Sequence, residues 1–347
     1  SRKTMQPDDA VTYFPLDLSW NVERFFDAFN PRVIILMETE LWPNFLTLAA
    51  RRGVHVFTAN GKLSDKSFRG YRRAGRMLRP AFDAIRAFAM QTQADAERMR
   101  ELTGRPHDVQ VAGNCKFDLA MPTLDAPQAE AIREKYALGP RRPTVVVGST
   151  HPGEERIVLD AFAQMKQRIP NLLLILSPRH PERFAEVAAM CRKHAANWRV
   201  ARATEAAGER PAADASPGPD VFILDTMGEL ARMYGMGDVA VVAGSFSPIG
   251  GHNILEAAAH RIPVVVGPHM HAQRELDRLF AAPDSGCVRT TGDGLADTLL
   301  GLLENDAVRR EIARRAGETA VRNQGAARRS AEIIYPYLKQ TNLRVKK

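Results

Sequence analysis

The stretch that decides the fold is VAVVAGSFSPIGGHNILE, residues 239–256. Its apolar start predicts a buried β-strand, and a helix is expected to begin near Asn253. Between them, Gly250 and Gly251 allow positive φ and a close backbone approach to a ligand. Free N–H groups and the positive dipole end at a helix start attract phosphate, and Glu256 stands at capping-box spacing from Asn253. Strand, glycines and polar residues together favour a nucleotide site over a merely capped helix.

The same alternation of apolar strand and amphipathic helix runs through the whole chain. A helical period begins near Gly153, and the strands are nearly continuously apolar, as expected when helices cover both faces of a sheet. Alternating strands and helices predict βαβ units with parallel sheets. The predicted strands are 33–37, 54–59, 84–90, 109–112, 144–148, 172–177, 221–224, 239–244 and 263–267.

The length of 347 residues is enough for two domains, each with its own core. The segment 120–128 (AMPTLDAPQ) carries two prolines without a period and predicts a linker, which gives domains 1–120 and 129–347. The Ala-, Gly- and Pro-rich segment 204–219 is interpreted as a surface loop. The fold class is therefore α/β, with two doubly wound Rossmann-like domains facing a cleft.

The net charge of +8 favours anionic partners such as nucleic acid, anionic lipid or a phosphorylated substrate. The densest basic stretch, 62–86, carries eight cationic residues and two acidic ones. It is expected to be an interfacial helix on an anionic membrane, and the alternative is a solvated helix face. No nucleic-acid-binding module is recognisable. No apolar run is long enough to span a bilayer, and the start carries no signal-like segment. Three scattered cysteines indicate a reducing compartment, so the cytoplasm is expected.

Three more loops follow strands in the second half, where ligands of parallel sheets bind. SPRHPER (177–183) contains Arg179, whose planar fork suits phosphate or carboxylate. In GSTHPGEE (148–155), Ser149 and Thr150 can cap a helix or bind an anion. In DTMGE (225–229), the backbone around Met227 and Gly228 could read a base edge. Each loop alone is commonly a helix cap, but four on one rim favour a ligand site.

In the first half, METELWPN (37–44) ends an apolar strand with Glu38 and Glu40. Carboxylates there can stabilise an oxocarbenium-like centre or act as acid or base. Lys116, in GNCKFD (113–118), also closes a strand and is a candidate cation facing the cleft. The nine histidines lack paired acidic or cysteine ligands in a metal-binding pattern, so we expect neither a metal nor a cofactor.

These motifs together resemble those of the bacterial Kdo (3-deoxy-D-manno-oct-2-ulosonic acid) transferases, a family with the GT-B fold. METELWPN, GNCKFD, STHPGEE, SPRHPERF, DTMGEL and GGHNILEAAAHRIPVVVGPH occur in the family's order and cover nearly the whole chain. The resemblance implies that Glu256 holds the ribose, that the loop of Gly250 and Gly251 faces the phosphate, and that Glu38 and Lys116 stabilise the transition state. The positions that match the family's CMP-binding places are Pro178, Arg179, Met227, Gly228, Glu229, Asn253, Ile254, Leu255 and Glu256.

The resemblance implies an inverting, metal-independent transfer of Kdo from CMP-Kdo to the lipid A precursor in lipopolysaccharide synthesis. The expected location is peripheral, at the cytoplasmic face of the bacterial inner membrane, with an anionic membrane surface and no nucleic acid as partner. The family's apolar N-terminal helix and its Glu-bearing Ser-Val-Gly-Glu-type motif are not found here. We therefore expect a truncated form that binds CMP but turns over poorly. The alternatives are another GT-B enzyme, such as a UDP-sugar transferase or epimerase, and a catalytically dead nucleotide-binding remnant.

Overall fold

The computed structural model describes residues 9–118, 123–206 and 217–340. The chain divides into two α/β units. Unit 1 comprises residues up to 119 together with those from 323 onwards, and unit 2 comprises residues 120–322. No helix within the described ranges is long and apolar enough to cross a bilayer.

Unit 1 is built on a parallel sheet whose strand order follows the sequence, β1-β2-β3-β4. Its strands are β1 (Val33–Met37), β2 (His55–Gly61), β3 (Ile85–Met90) and β4 (Val109–Val111). Its helices are α1 (Ser19–Phe29), α2 (Pro43–Arg51), α3 (Asp65–Ala74), α4 (Arg79–Ala84) and α5 (Gln93–Thr103). Buried residues of α1, α2, α4 and α5 pack with the apolar strand residues to form the larger core of this unit.

The last helix of unit 1 comes from the far end of the chain. The helix Ala326–Gln340 supplies Ile333 and Ile334 to a second small core with Phe57 of β2 and the alanines of β3. Asp118, just before the chain leaves unit 1, accepts hydrogen bonds from the backbone N–H groups of Gly325, Ala326 and Ala327. The predicted second domain, 129–347, thus extends beyond unit 2 by this helix, whose apolar face covers the first sheet.

Unit 2 contains a seven-stranded parallel sheet among the described residues. Its strands are β5 (Thr144–Thr150), β6 (Leu173–Pro178), β7 (Val200–Arg202), β8 (Val221–Ile223), β9 (Val239–Val242), β10 (Val264–Val266) and β11 (Cys287–Arg289). In chain order, its helices are α6 to α14, and the helix Ala326–Gln340 of unit 1 is α15. They are Ala126–Lys135, Glu154–Arg168, Phe184–His194, Ala203–Ala206, Leu230–Met233, Leu255–Ala258, Arg274–Phe280, Leu295–Glu304 and Asp306–Arg322.

The strand order of this sheet, β11-β10-β9-β5-β6-β8-β7, reverses direction at β5. The chain builds outward from β5 through β6 to one edge and then returns to β9, which pairs with the other side of β5. Such a reversal leaves a crevice outside the carboxyl ends of the two central strands, where α/β folds bind ligands. The topology therefore places the ends of β5 and β9 at the expected binding position.

All nine predicted strands are present, most of them within one or two residues of the predicted ends. The strands missed by the sequence patterns are β7 and β11, which lie at the two edges of the sheet, have three residues each and are only partly buried. Of the predicted linker 120–128, residues 120–122 lie outside the described part, and its end is the capped start of α6 at Asp125. Of the predicted loop 204–219, residues 207–216 likewise lie outside it.

We expect Asp118→Ala to destabilise unit 1, because three backbone donors at the start of α15 would lose their acceptor. A capping side chain of this kind contributes about 1–2 kcal/mol to the free energy of unfolding. Urea denaturation followed by circular dichroism measures the loss. The control is Asp83→Ala, which removes an exposed partner of Arg79 and should change stability by less than about 1 kcal/mol. Equal losses in both variants would contradict the capping role of Asp118.

Candidate functional site

A cavity of about 500 Å³ opens at the carboxyl ends of the unit 2 strands. It is bordered by the loops that follow β5, β6, β8 and β9, the four loops singled out in the sequence. The lining residues are Ser149, Ser177, Pro178, Arg179, Phe184, Thr226, Met227, Gly228, Leu230, Ala231, Tyr234, His252, Asn253, Glu256 and Gln273. Within the described ranges, no group of three or more His, Cys, Asp or Glu side chains is arranged to hold a metal ion.

Seven of the thirteen residues selected for substrate or nucleotide binding line the cavity, and the other six are not part of its lining. Those that line it are Ser149, Pro178, Arg179, Met227, Gly228, Asn253 and Glu256. Ile254, the residue before α11, and Leu255, its first residue, are only 1% and 3% exposed, so their side chains are buried. Thr150 is fully buried, and its hydroxyl has no hydrogen-bond partner among the described residues.

Part of the glycine loop is closed by hydrogen bonds between its own backbone groups. The N–H groups of Gly250 and Gly251 donate to the carbonyl of Gly244, over 3.1 and 2.7 Å. Both glycines have positive φ, and a Cβ on Gly251 would lie 2.2 Å from the sulfur of Met270. The two N–H groups expected to face a phosphate are therefore already bonded. The N–H groups of His252, Asn253 and Ile254 in this loop have no hydrogen-bond acceptor among the described residues.

A buried carboxylate holds this loop in place. Glu154, at the first position of α7, is 1% exposed, and its two oxygens accept four backbone N–H groups. One oxygen accepts from His151 over 3.0 Å and from Gly244 over 2.7 Å. The other accepts from Phe246 over 2.9 Å and from Ser247 over 3.2 Å. One side chain thereby fixes the loops after β5 and β9 to each other.

The next residue, Glu155, fixes the loop after β6. It is fully buried and receives the guanidinium of Arg183 in a two-pronged contact, with nitrogen–oxygen distances of 2.5 and 3.4 Å. Paired donors and acceptors of this geometry offset the cost of burying the charges. The same loop is also tied by the N–H of Arg179, which donates to the carbonyl of Thr150. The main chain around Arg179 is thus fixed, whereas its side chain is exposed.

Two charged side chains face the cavity with little compensation. The guanidinium of Arg179 makes no ion pair within the described part of the chain. Burial raises the pKa of Glu256, and the hydrogen bond from Asn253 and the nearby Arg179 only partly oppose this. The Asn253 amide donates to Glu256 over 3.3 Å, while its oxygen accepts the N–H of Leu255. An acceptor and a cation are therefore available to a ligand here.

Glu229, which the resemblance places among the CMP-binding positions, is not among the residues that line the cavity. Its carboxylate accepts hydrogen bonds from the hydroxyls of Tyr136 and Thr226 and pairs with Lys135 at 3.2 Å. Burial would raise the pKa of Glu229, but these hydrogen bonds together lower it below its usual value. The side chain anchors the loop after β8 to α6, so Met227 and Gly228 are left at the cavity edge.

In unit 1, Glu38 and Lys116 lie at the ends of the two edge strands, β1 and β4. Both side chains are exposed, and neither has an ion pair among the described residues. Glu38 has a φ of 61°, a left-handed conformation that is uncommon for a residue with a side chain and often marks functional sites. Three strand spacings separate β1 from β4, roughly 14 Å, so the sheet alone does not bring the two charges together.

A row of buried amides connects the ends of the intervening strands. Asn60, Gln91 and Asn114 are each less than 8% exposed. Gln91 donates to the carbonyl of Asn60 over 3.0 Å, and the side-chain oxygen of Asn60 accepts the N–H of Cys115 over 3.0 Å. The oxygen of Asn114 accepts the N–H of Lys116 over 2.9 Å. These residues therefore fix the turn that carries Lys116.

The basic segment 62–86 is not a single interfacial helix. It forms α3 and α4, separated by a turn at Gly75, which has positive φ. All eight cationic side chains are exposed, but six of the seven large apolar side chains of this segment pack on the core of unit 1, and among these seven only Met77 is exposed. The cationic side chains are Lys62, Lys66, Arg69, Arg72, Arg73, Arg76, Arg79 and Arg86. The surface is therefore electropositive rather than amphipathic.

Comparison with known proteins gives consistent matches. A family model for 3-deoxy-D-manno-octulosonic-acid transferase matches residues 1–119, and a glycosyl transferase-like model matches residues 251–335. The chain is 32% identical over 329 residues to a 3-deoxy-D-manno-octulosonic acid transferase of Haemophilus influenzae. The aligned region covers 94% of this chain and 75% of that protein. The protein of the same name from Bordetella pertussis is 32% identical over 331 residues, with coverages of 94% and 74%.

The fold itself is shared with more distant proteins. The crystal structure of a glycosyltransferase from Rickettsia africae is 13% identical, with a TM-score of 0.51 over 96% of this chain and 84% of that one. The predicted fold class, two parallel α/β units of the GT-B type, is confirmed.

We expect Glu154→Gln to destabilise unit 2 and disorder the glycine loop. The carboxamide presents N–H groups to two of the four backbone donors, so about two charge-assisted hydrogen bonds are lost at roughly 1.5–3 kcal/mol each. Thermal unfolding and amide hydrogen exchange at Gly244 and Phe246 measure the effect. Glu182→Gln is the control, since that carboxylate is 75% exposed. Unchanged exchange in Glu154→Gln would contradict its role.

Proposed function

Because the chain belongs to the 3-deoxy-D-manno-octulosonic-acid transferase family, we propose that it moves Kdo from CMP-Kdo to a lipid A precursor. The observation that carries this proposal is the unit 2 cavity. It combines the uncompensated guanidinium of Arg179, the free N–H groups of the glycine loop and the partly buried Glu256. A nucleoside monophosphate has the complementary groups, a phosphate and a ribose with two hydroxyls.

In this proposal, each rim loop binds one part of the nucleotide. Arg179 and the N–H groups of Asn253 and Ile254 take the phosphate, as helix starts and guanidinium groups commonly do. Glu256 accepts hydrogen bonds from the ribose hydroxyls. The backbone of Met227 and Gly228 contacts the cytosine, and Glu229 holds that segment through Tyr136. Pro178 and Ser149 complete the walls.

The proposed reaction inverts the anomeric centre without a metal. An acceptor hydroxyl attacks the anomeric carbon of Kdo and releases its proton to solvent, while the CMP phosphate leaves with the bonding electron pair. Developing positive charge on the sugar is stabilised by Glu38, and Lys116 interacts with the carboxylate of Kdo. Fixed charges and backbone donors take the charge of the leaving phosphate, which is electrostatic stabilisation of the transition state.

A UDP-sugar enzyme of the same fold is the alternative, and the nucleotide distinguishes the two. We expect CMP to raise the thermal unfolding temperature in a concentration-dependent way and UMP to do so much less. Arg179→Ala should lower the affinity for CMP by roughly 1.5–3 kcal/mol, because a charge-assisted hydrogen bond is lost. Calorimetry measures both. Arg156→Ala is the control, since that guanidinium is 82% exposed on α7. Stronger binding of UMP would favour the alternative.

We also propose that the basic surface of α3 and α4 contacts anionic membrane, because the proposed acceptor is a phosphorylated lipid. Each Lys or Arg close to an anionic surface contributes about 1 kcal/mol, and this contribution decreases with salt. Since the apolar side chains of the segment are largely in the core, binding should depend on charge rather than on insertion.

We expect the protein to sediment with vesicles containing anionic lipid at low salt and to be released as salt rises. Replacing Arg69, Arg72, Arg73 and Arg76 by Ser should abolish most of this binding. The matched control makes the same charge change in α14, at Arg309, Arg310, Arg314 and Arg315, which already pair with acidic neighbours. Equal loss in both variants, or binding to neutral vesicles, would contradict a specific basic surface.

A further inference from the structure

Two histidines meet head to head at the centre of the binding rim. His151 follows β5 and His252 follows the glycine pair after β9, and their Nε2 atoms are 2.8 Å apart. The ring planes differ by 6°, and the ring centroids are 5.1 Å apart. The nitrogens are therefore 2.3 Å closer than the centroids (5.1 minus 2.8), so the rings point their nitrogen ends at each other.

The surrounding backbone is built to allow this contact. Gly244 has a φ of 72°, and a Cβ at this position would lie 2.7 Å from the His252 ring. Glu154 holds the N–H groups of both Gly244 and His151, so one carboxylate fixes the two chain segments that carry the rings. The contact is therefore set by main-chain geometry.

In such a pair, one proton lies between the two Nε2 atoms, and the pair as a whole is either neutral or singly protonated. When neutral, one Nε2–H donates to the lone pair of the other Nε2, and the donor ring has a free lone pair on Nδ1. One further proton at that Nδ1 gives an imidazolium hydrogen-bonded to an imidazole. A second additional proton would leave an N–H group on both Nε2 atoms, and the two groups would point at each other without an acceptor. The pair can thus take up one proton and no more without separating.

Its surroundings keep the free pair neutral. Burial, then His151 and Arg179, lower the pKa of His252 to about 4. Burial also lowers the pKa of His151, an effect increased by His180 and Arg179 and opposed by Glu154 and Glu155. The carboxylate of Glu154 already accepts backbone N–H groups, and the carboxylate of Glu155 is paired with Arg183. Glu256 is the remaining carboxyl group of the cavity lining.

We propose that the His151–His252 pair takes up one proton when a phosphate monoester dianion occupies the cavity, with His252 contacting the phosphate. His252 lines the cavity beside Arg179, Asn253 and Glu256, and a dianion bound there places negative charge next to the pair. An opposite charge within hydrogen-bonding distance favours the protonated form of an imidazole.

This inference rests on the proposed function and adds a role for the pair in the chemical step. In the sugar nucleotide, the phosphate is a diester with one negative charge. When the bond between the anomeric carbon and oxygen breaks, the electron pair stays on the phosphate, which becomes a monoester with two charges. The proton that joins the pair comes from solvent, and the acceptor hydroxyl releases its own proton separately. The pair therefore responds to the leaving group and not to the donor.

Calorimetry of CMP binding in buffers of different ionisation enthalpy measures the linked proton. When one CMP binds, we expect the wild-type chain to take up as much as one proton more than the double variant that carries His151→Gln and His252→Gln. CMP affinity in the wild type should fall with rising pH more steeply than in the double variant, by at most about tenfold per pH unit for one linked proton. The sign follows because the bound pair has a higher pKa than the free one. The titration of free CMP is common to both proteins and cancels.

His194→Gln is the control. His194 is the last residue of α8, at the end of the helix away from the cavity, and it pairs with Asp160. This variant should behave as wild type. Equal uptake in the wild type and the double variant would overturn the inference while leaving CMP binding intact. Failure of the wild type to bind CMP would overturn the proposed donor and this inference together. If the double variant does not fold, ¹⁵N NMR of the wild-type imidazoles decides, and rings that stay neutral with CMP bound at pH 6.5 would overturn the inference.

Discussion

The binding rim depends on one buried carboxylate. Glu154 collects four backbone N–H groups from two loops that are about ninety residues apart in sequence. Backbone donors buried without a partner are costly, and an acidic side chain that satisfies four of them at once stabilises one conformation of both loops. The closed glycine loop, the end-to-end histidines and the free N–H groups at the start of α11 all follow from that conformation.

Some charged side chains of the rim hold its loops together, whereas others are left to bind a ligand. Glu154, Glu155, Arg183 and Glu229 are neutralised by protein partners. Arg179 has no such partner among the residues that the structure describes, although its main chain is fixed by Thr150. A cation held on a rigid backbone binds an anion without first breaking an internal ion pair, so less of the interaction energy is spent on rearrangement.

Sequence reasoning located the rim because apolar strands and glycine loops are local signals. It did not identify Glu154, since two glutamates after a glycine also suit an ordinary helix start, and only the tertiary fold shows that both are buried. The strands β7 and β11 were missed because short edge strands have little apolar pattern. The hydrogen bond between Glu229 and Tyr136 was not predicted either, because the two residues are more than ninety positions apart in sequence. Such long-range partners leave no periodic trace in a single sequence.

The return of α15 to the first sheet has a consequence for biosynthesis. Asp118 meets the start of α15 across 207 residues, so the sheet of unit 1 gains its second cover only after all of unit 2 has left the ribosome. Among the described residues that precede unit 2, no helix packs on the faces of β2 and β3 that carry Phe57 and Ala87. Unit 2, whose strands and helices are contiguous in sequence, needs no such delay. The later part of the chain is therefore able to complete its fold before the earlier one, the reverse of the order of translation.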